Sequence, residues 1–391
     1  VTEQRSLADR RWLILASTVV SFLAVGVTFF AVPPLVPQLT EMFDLTHLQI
    51  GILMGAIAIP AVFISISLGA AVDRWPARAT GVVGLILMAV GATAFSLAPS
   101  YVALVLGRLV FGVGGLVMNL LLARLVTEAF MGRELSLAMG IFNSVFPASM
   151  ILTFTLHPRL LATMGWRAEL LLLAGLAVLA LPLHVLAVPA NHRGTDDAPS
   201  ASTPSRRVTR PLVALSVAWA LFFGVYASVF TFAAQWAGGG DDALITVSLI
   251  AWTALVLAPF VGAAIDRIGH PTRWLTTSLV ILAAVLAGMA AGVVSPNPAM
   301  ITVGVCTALA LISTYSIPGR IVPAAQVGFA FGFITAFSNL ATLVGPGLTG
   351  AIADAVSGWA APWAVLSAAA LIGAAATRFI RRESRAGASG E

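Results

Sequence analysis

The sequence predicts an all-α polytopic membrane protein: twelve transmembrane helices arranged as two pseudo-symmetric six-helix bundles. Three observations predict it: the composition, a count of twelve apolar runs, and a one-sided distribution of loop arginines. Of 391 residues, 59% are hydrophobic and 9% charged, with a mean hydropathy of +0.99; soluble chains carry about 25% charged residues. A span consumes about 20 apolar residues, so the apolar content is what twelve spans require. A transmembrane β-barrel is excluded, because its strands alternate in polarity instead of staying apolar for twenty residues.

Taken in order, the first six runs fall near 12–36, 48–71, 79–98, 101–126, 135–157 and 168–188. The second six fall near 211–236, 243–265, 274–294, 298–318, 324–348 and 360–380. The first begins after the polar stretch Thr2–Arg11 and has the length of a span, so no cleavable leader is expected. The second and eighth each end in an Asp-Arg pair, the fourth contains an arginine, and Pro60, Pro147, Pro259 and Pro346 are expected to bend their spans. Pro189–Arg210 is the only long polar stretch, rich in Pro, Ser, Thr, Asp and Arg, and reads as a linker. The expected domains are therefore an N-terminal bundle over 1–188, a cytoplasmic linker over 189–210, and a C-terminal bundle over 211–391 with a short cytoplasmic tail.

Orientation follows from the basic residues, all 21 of which are Arg. With both termini in the cytoplasm, eighteen lie inside, two (Arg159 and Arg167) lie outside, and Arg108 falls within a span. Such an asymmetry predicts N-in, C-in topology and an even number of spans. A net charge of +5 and a pI of about 10.5 would point to nucleic acid in a soluble protein; scattered through short loops, the same charges are topological, and no nucleic-acid partner is expected. The single Cys306 cannot form an intramolecular disulfide.

The two halves echo one another. Gly69-Ala-Ala-Val-Asp73-Arg74 follows the second span and Gly262-Ala-Ala-Ile-Asp266-Arg267 the eighth, while Asn143 and Pro147 in the fifth span correspond to Asn339 and Pro346 in the eleventh. A duplicated six-helix unit with equivalent loops on one face is how a rocker-type transporter is built. Further patterns run alongside: Arg78 after the first Asp-Arg pair, Arg108-Leu-Val-Phe-Gly112-Val-Gly114, Glu128-Ala-Phe-Met-Gly-Arg133, and Gly345-Pro346-Gly347 with Gly350 and Asp354. Together these motifs resemble those of the major facilitator superfamily over essentially the whole chain, with Ala71 and Pro76 departing from the loop signature. The resemblance implies a secondary transporter in the bacterial cytoplasmic membrane. It also implies a cytoplasmic gate of Gly69, Asp73, Arg74, Arg78, Gly262, Asp266, Arg267, Glu128 and Arg133, in which Asp73 meets the start of the eleventh span.

Arg108 lies seven residues into the fourth span, about 10 Å below the outer surface. An arginine at that depth costs at least ~2.5 kcal/mol unless it meets a partner or a wet cavity. Gly112, Gly115 and Asn119 continue its helical face, as expected of a cavity wall or a helix seam. All sixteen acidic residues fall in loops or at span ends, so a cationic substrate is not expected and a small anion is favoured, held by the guanidinium; an uncharged apolar substrate stays open. The resemblance places the central path on spans 1, 4, 7 and 10. Its further candidates are Phe29 and Phe30, Phe222 and Tyr226, and Tyr315, joined by Trp252, Asn143 and Asn339. The histidines, including His157 and His192, are expected to be solvated or capping. No metal-ligand cluster, phosphate loop or catalytic pair is present in the sequence, and the Ser389 motif in the polar tail lacks a base, so no enzyme activity and no cofactor are expected. The expected partners are the lipid bilayer and a small-molecule substrate; a proton or a counter-substrate stays open as coupling species, and one duplicated chain suffices as a monomer.

Overall fold

The computed structural model describes residues 10–131, 134–190, 192, 209–323, 326–356 and 358–386. Regular structure among them is helical. The elements are α1 (Arg11–Phe29), α2 (Val32–Phe43), α3 (His47–Gly55), a 3-10 turn (Ala56–Ala58), α4 (Ile59–Arg74), α5 (Ala77–Ser96), α6 (Tyr101–Phe130) and α7 (Leu135–Ala187). They continue with α8 (Arg210–Trp236), α9 (Gly240–Ile268), α10 (Pro271–Ala290), α11 (Pro296–Ser316), α12 (Pro318–Ile321), α13 (Val327–Ala355) and α14 (Ala360–Ala386). Eleven helical segments among the described residues are long and apolar enough to cross a membrane. One of them, within α7, is interrupted at Gly165 (φ 77°, ψ 159°) and carries two crossings. Twelve spans result.

The interruptions have identifiable causes. The first span divides into α1 and α2 because Pro33 and Pro34 bring no N–H groups, so the carbonyls four residues before them lose their helical donors. The second span divides into α3 and α4 through the 3-10 turn that precedes Pro60. The chain clusters into two units, Val1–Leu45 with Ala56–Ser200 and Thr46–Gly55 with Ala201–Glu391. Helix α3 thus belongs with the second unit and α4 with the first, and the switch falls on the 3-10 turn. Most of the expected linker, 191 and 193–208, lies outside the described residues.

In the first unit α1, α5, α6 and α7 pack around Phe22, Val25, Leu85, Met88, Phe111 and Met118. Lipid tails are as apolar as these side chains, so close van der Waals approach drives the association. Gly84 and Gly91 on α5 face Gly107 and Gly114 on α6, each pair seven residues apart, so the backbones touch. A methyl on Gly107 would lie 2.6 Å from the Phe95 amide nitrogen, and one on Gly114 2.6 Å from the Gly84 oxygen. Gly91→Leu is therefore expected to cost about 1–3 kcal/mol by forcing α5 and α6 apart. A lower thermal midpoint in detergent than that of an exposed control, Val90→Leu, checks it. In the second unit α8 is the most enclosed helix, packed against α13 and α14. Gly224 and Gly345 allow its contact with α13, and Gly304 allows α11 to reach Ile250 and Thr253 on α9. Hydroxyls join α10 to α14 through Thr276–Thr377 (2.7 Å) and Ser367 to the Ala283 carbonyl (2.7 Å).

Candidate functional site

Arg108 is completely buried. Its Nη1 donates to the Thr28 carbonyl at 2.7 Å and its Nη2 to the Phe29 carbonyl at 3.3 Å. The reason lies in the break of the first span: the helical donor for the Phe29 carbonyl would be the amide of residue 33, which is proline. The guanidinium supplies what the proline removes, and its charge sits where the dipole of α1 is negative. The Phe95 ring lies 5.8 Å from the guanidinium carbon. Below it, a methyl on Gly112 would lie 2.5 Å from the Ile57 carbonyl of the 3-10 turn, and Gly115 borders Phe111 and Val25. This face of α6 is a helix seam as far as Gly115, whereas Asn119, one turn on, is exposed.

The aromatic candidates fall into two clusters, one in each unit. In the first, Phe29 and Phe30 pack on each other (5.0 Å between centroids) and both on Phe146 (5.5 and 5.0 Å). In the second, Trp219, Phe222 and Tyr226 stack along α8 at 5.4 and 6.3 Å. Tyr315 on α11 meets the Trp219 ring at 6.1 Å and Phe331 on α13 at 5.6 Å. Sequence reasoning missed Phe146, Trp219 and Phe331. Trp219 was findable, because it precedes Phe222 and Tyr226 at helical spacing on the same face. Trp252 stands apart from these rings, 48% exposed on α9. The duplicated asparagines behave alike: Asn143 Nδ2 donates to the Met139 carbonyl (2.8 Å) and Asn339 Nδ2 to the Thr335 carbonyl (2.9 Å), each four residues back in its own helix.

Of the gate candidates, Arg133 and the side chains of Gly69, Asp73 and Arg74 lie outside the described residues. Glu128 and Arg78 hold separate partners, each of them reaching the residues that follow α7. Arg124 Nε donates to Glu128 Oε1 (2.9 Å) while its Nη1 donates to the Val72 carbonyl (2.9 Å), tying α6 to the end of α4. His192 Nε2 meets Glu128 Oε2 at 2.6 Å, the Ala77 amide donates to the His192 carbonyl (2.8 Å), and Arg78 Nε donates to the Val188 carbonyl (2.6 Å). The residues following α7 are thereby fastened to the start of α5. Expected to be solvated or capping, His192 is buried: its carbonyl caps the first amide of α5 while its ring meets Glu128. Arg124 was legible from its spacing of four from Glu128. In the second copy Asp266 and Arg267 are exposed, and a methyl on Gly262 would meet nothing within 4 Å.

A helix cap of the kind the resemblance assigns to Asp73 is formed by Asp354 at the end of α13. Its Oδ1 accepts from the His47 amide (2.9 Å) and its Oδ2 from the Leu48 amide (2.8 Å), and His47 Nδ1 lies 2.8 Å from Oδ1. The carboxylate satisfies two orphan amides at the N-terminus of α3 and opposes the helix dipole. Gly51 abuts the Pro346 backbone and Gly350 the His47 backbone, so α3 and α13 meet main chain to main chain. The sequence carried the glycines and Asp354 as a motif but did not reveal their partner.

Comparison with known proteins decides the family. The family model of the Major Facilitator Superfamily matches residues 14–295 and 239–391. The chain belongs to the major facilitator superfamily. A hexuronate transporter of Bacillus subtilis (strain 168) is 22% identical, with 88% of this chain and 89% of that protein covered. Among solved structures, the nucleoside transporter NupG superposes with a TM-score of 0.80 at 15% identity, over 95% of this chain and all of that one. A bacterial homolog of the human lysosomal transporter Spinster, in an inward-facing and unoccupied conformation, superposes with a TM-score of 0.74 at 15% identity, over 96% and 97%. This chain is thus a multi-pass membrane transporter with the twelve-helix, two-bundle architecture of the superfamily, acting on a small-molecule substrate.

Proposed function

We propose that this superfamily member carries a small organic anion across the bacterial cytoplasmic membrane by rocker-switch alternating access, with both termini cytoplasmic. The observation that carries the substrate class is Arg108, a completely buried guanidinium at the break of the first span. A charge so enclosed raises the local potential, and the planar fork of Arg suits a carboxylate better than a point charge does. Support comes from the relative named for hexuronate, a sugar acid. The Arg-rich loops support the orientation, and helix breaks at Pro33, in the 3-10 turn before Pro60 and at Gly165 supply joints for rocking.

The test compares D-glucuronate with D-glucose, which differ at one carbon by a carboxylate against a hydroxymethyl group. Glucuronate at a hundred times its dissociation constant stabilises the folded state by about 2.7 kcal/mol. The expected result is an upward thermal shift with glucuronate and none with glucose, with the ligand-induced shift lost in Arg108→Lys. Equal shifts with both sugars, or an undiminished shift in the variant, overturn the anion reading. The alternative, efflux of neutral or amphipathic compounds, is favoured by the cluster of Trp219, Phe222, Tyr226, Tyr315 and Phe331. It predicts stabilisation by apolar compounds alone, equal in wild type and variant.

A further inference from the structure

A charged patch that neither the substrate nor the gate accounts for lies in the first unit, where the start of α1, the end of α6 and both ends of α7 meet. Arg10 is exposed, and its Nη1 donates to the Leu186 carbonyl in the last turn of α7 at 3.2 Å. Arg11 Nη2 stands 3.5 Å from Oε2 of Glu134, the residue before α7, and the two side chains are 24% and 48% exposed. Arg11 Nε is buried and has no hydrogen-bond partner among the described residues. The half-exposed Trp12 ring lies edge-on to Phe130 at the end of α6 (5.3 Å), with the Arg11 guanidinium 6.0 Å from its centroid. From the same helix ends Leu13, Met131, Leu137 and Leu186 present apolar side chains that are 40% to 65% exposed.

We propose that this patch binds one anionic phospholipid, with Arg10 and Arg11 holding the headgroup phosphodiester and the acyl chains lying along the exposed apolar side chains. The patch sits at the end of a span, so the medium around it is the headgroup layer; with the orientation proposed above, that is the cytoplasmic leaflet. Trp12 marks the same depth, since tryptophan favours the membrane–water interface. Two guanidiniums face one carboxylate, which leaves a net charge of +1 among the described residues of the patch. Arg124 and Glu128, further along α6, satisfy each other at 2.9 Å and add nothing to that sum. A zwitterionic headgroup brings its own ammonium, which the arginines repel, whereas a headgroup of net charge −1 completes the patch.

Topology alone asks only that arginines lie on one side of the membrane, and an arginine serving topology alone can extend into water. These two are held instead, Arg10 on a backbone carbonyl and Arg11 between Glu134 and Trp12. Side chains already fixed lose less freedom when they take up a ligand, and the guanidinium fork matches two phosphate oxygens at once. The adjoining apolar side chains favour a phosphate that carries acyl chains over a free one, because their surface gains nothing from a soluble ion. Glu134 is the internal competitor, since its carboxylate occupies part of the Arg11 fork that the phosphate would take.

The test uses the full chain in detergent and needs no transport substrate. Dioleoyl phosphatidylglycerol and dioleoyl phosphatidylcholine share their chains and phosphate and differ in net charge, and native mass spectrometry reads the affinity of the first lipid bound. In the parent, phosphatidylglycerol should bind more tightly than phosphatidylcholine. Arg10→Gln and Arg11→Gln should each weaken phosphatidylglycerol binding about fivefold, and the double variant should bind the two lipids alike. Arg378→Gln, which removes the same charge from an exposed position on α14, should leave the first phosphatidylglycerol unchanged. Glu134→Gln should strengthen it, a gain that damage to the fold does not produce. Equal affinity for the two lipids in the parent overturns the proposal, as does a loss in Arg378→Gln as large as that in Arg10→Gln. Displacement of the bound lipid by an equal concentration of glycerol phosphate assigns the patch to a soluble anion and overturns it too. Should the arginine variants not fold, Glu134→Gln decides alone: unchanged or weaker phosphatidylglycerol binding overturns the proposal.

Discussion

Arg108→Leu is expected to lower stability by about 3–5 kcal/mol, a larger loss than at exposed or half-buried positions in the chain. The leucine fills part of the volume but leaves the Thr28 and Phe29 carbonyls without the donors that Arg108 supplies at 2.7 and 3.3 Å. Each hydrogen bond from a charged donor contributes about 1.5–3 kcal/mol; the Thr28 carbonyl keeps the Ala31 amide at 3.4 Å, and the charge opposing the end of the α1 dipole is lost as well. Lysine, with one ammonium in place of a fork, should recover about half of the loss. The order of thermal midpoints should be wild type, then Arg108→Lys, then Arg108→Leu. The companion change Pro33→Ala restores an amide four residues beyond Phe29, so the double variant Pro33→Ala with Arg108→Leu should lose less than Arg108→Leu alone. Unfolding measurements on the four proteins form a cycle that separates this capping role from ligand binding, because no substrate is present. Equal losses with and without Pro33 would mean that the carbonyl of Phe29 is not what the guanidinium serves.

Asp354→Asn is the second large effect, and it concerns movement. The carboxylate accepts from two amides at the start of α3 and meets the His47 ring. An amide side chain offers one acceptor and no charge, so about 1–2 kcal/mol of capping is lost, which shifts the equilibrium between docked and undocked α3 about tenfold. Spin labels placed by Leu48→Cys and Val356→Cys in a Cys306→Ser background should report a single short distance in the parent. Asp354→Asn should add a longer population. Acid should do the same to the parent, since protonating the carboxylate removes its charge and one of its acceptors, so the docked form is present at neutral pH and lost as pH falls. An unchanged distance distribution in the variant would assign the docking to the glycine contacts at Gly51 and Gly350 alone.

How far the sequence could be read depends on the range of the interaction concerned. Twelve spans were legible because each is a local run whose apolarity must match the bilayer regardless of its neighbours. The duplicated motifs are local in the same sense. Of the expected proline bends, that at Pro60 coincides with a break, whereas Pro147, Pro259 and Pro346 lie inside helices and the other breaks fall at Pro33 and Gly165. The family followed from motifs in register with those spans. Arg108 could be singled out from the sequence, since an arginine at that depth requires a partner. Its partner could not, because the carbonyls of Thr28 and Phe29 lie about 80 residues away and become acceptors only where the first span breaks.

Long-range pairing accounts for the remaining differences. Glu169 reads as a span-end acid, and only the reversal at Gly165 brings it onto His157. Asp354 reads as the last residue of a glycine motif, and only packing puts it 2.9 Å from an amide 307 residues away. His192 reads as linker until Glu128 and Ala77 claim it. Hydropathy and helix breakage at proline are written into neighbouring residues, because the bilayer and the backbone act on each segment separately. Which polar groups satisfy one another in the covered interior is decided only when the helices pack, since each buried donor or acceptor must then find its partner wherever the fold has carried it.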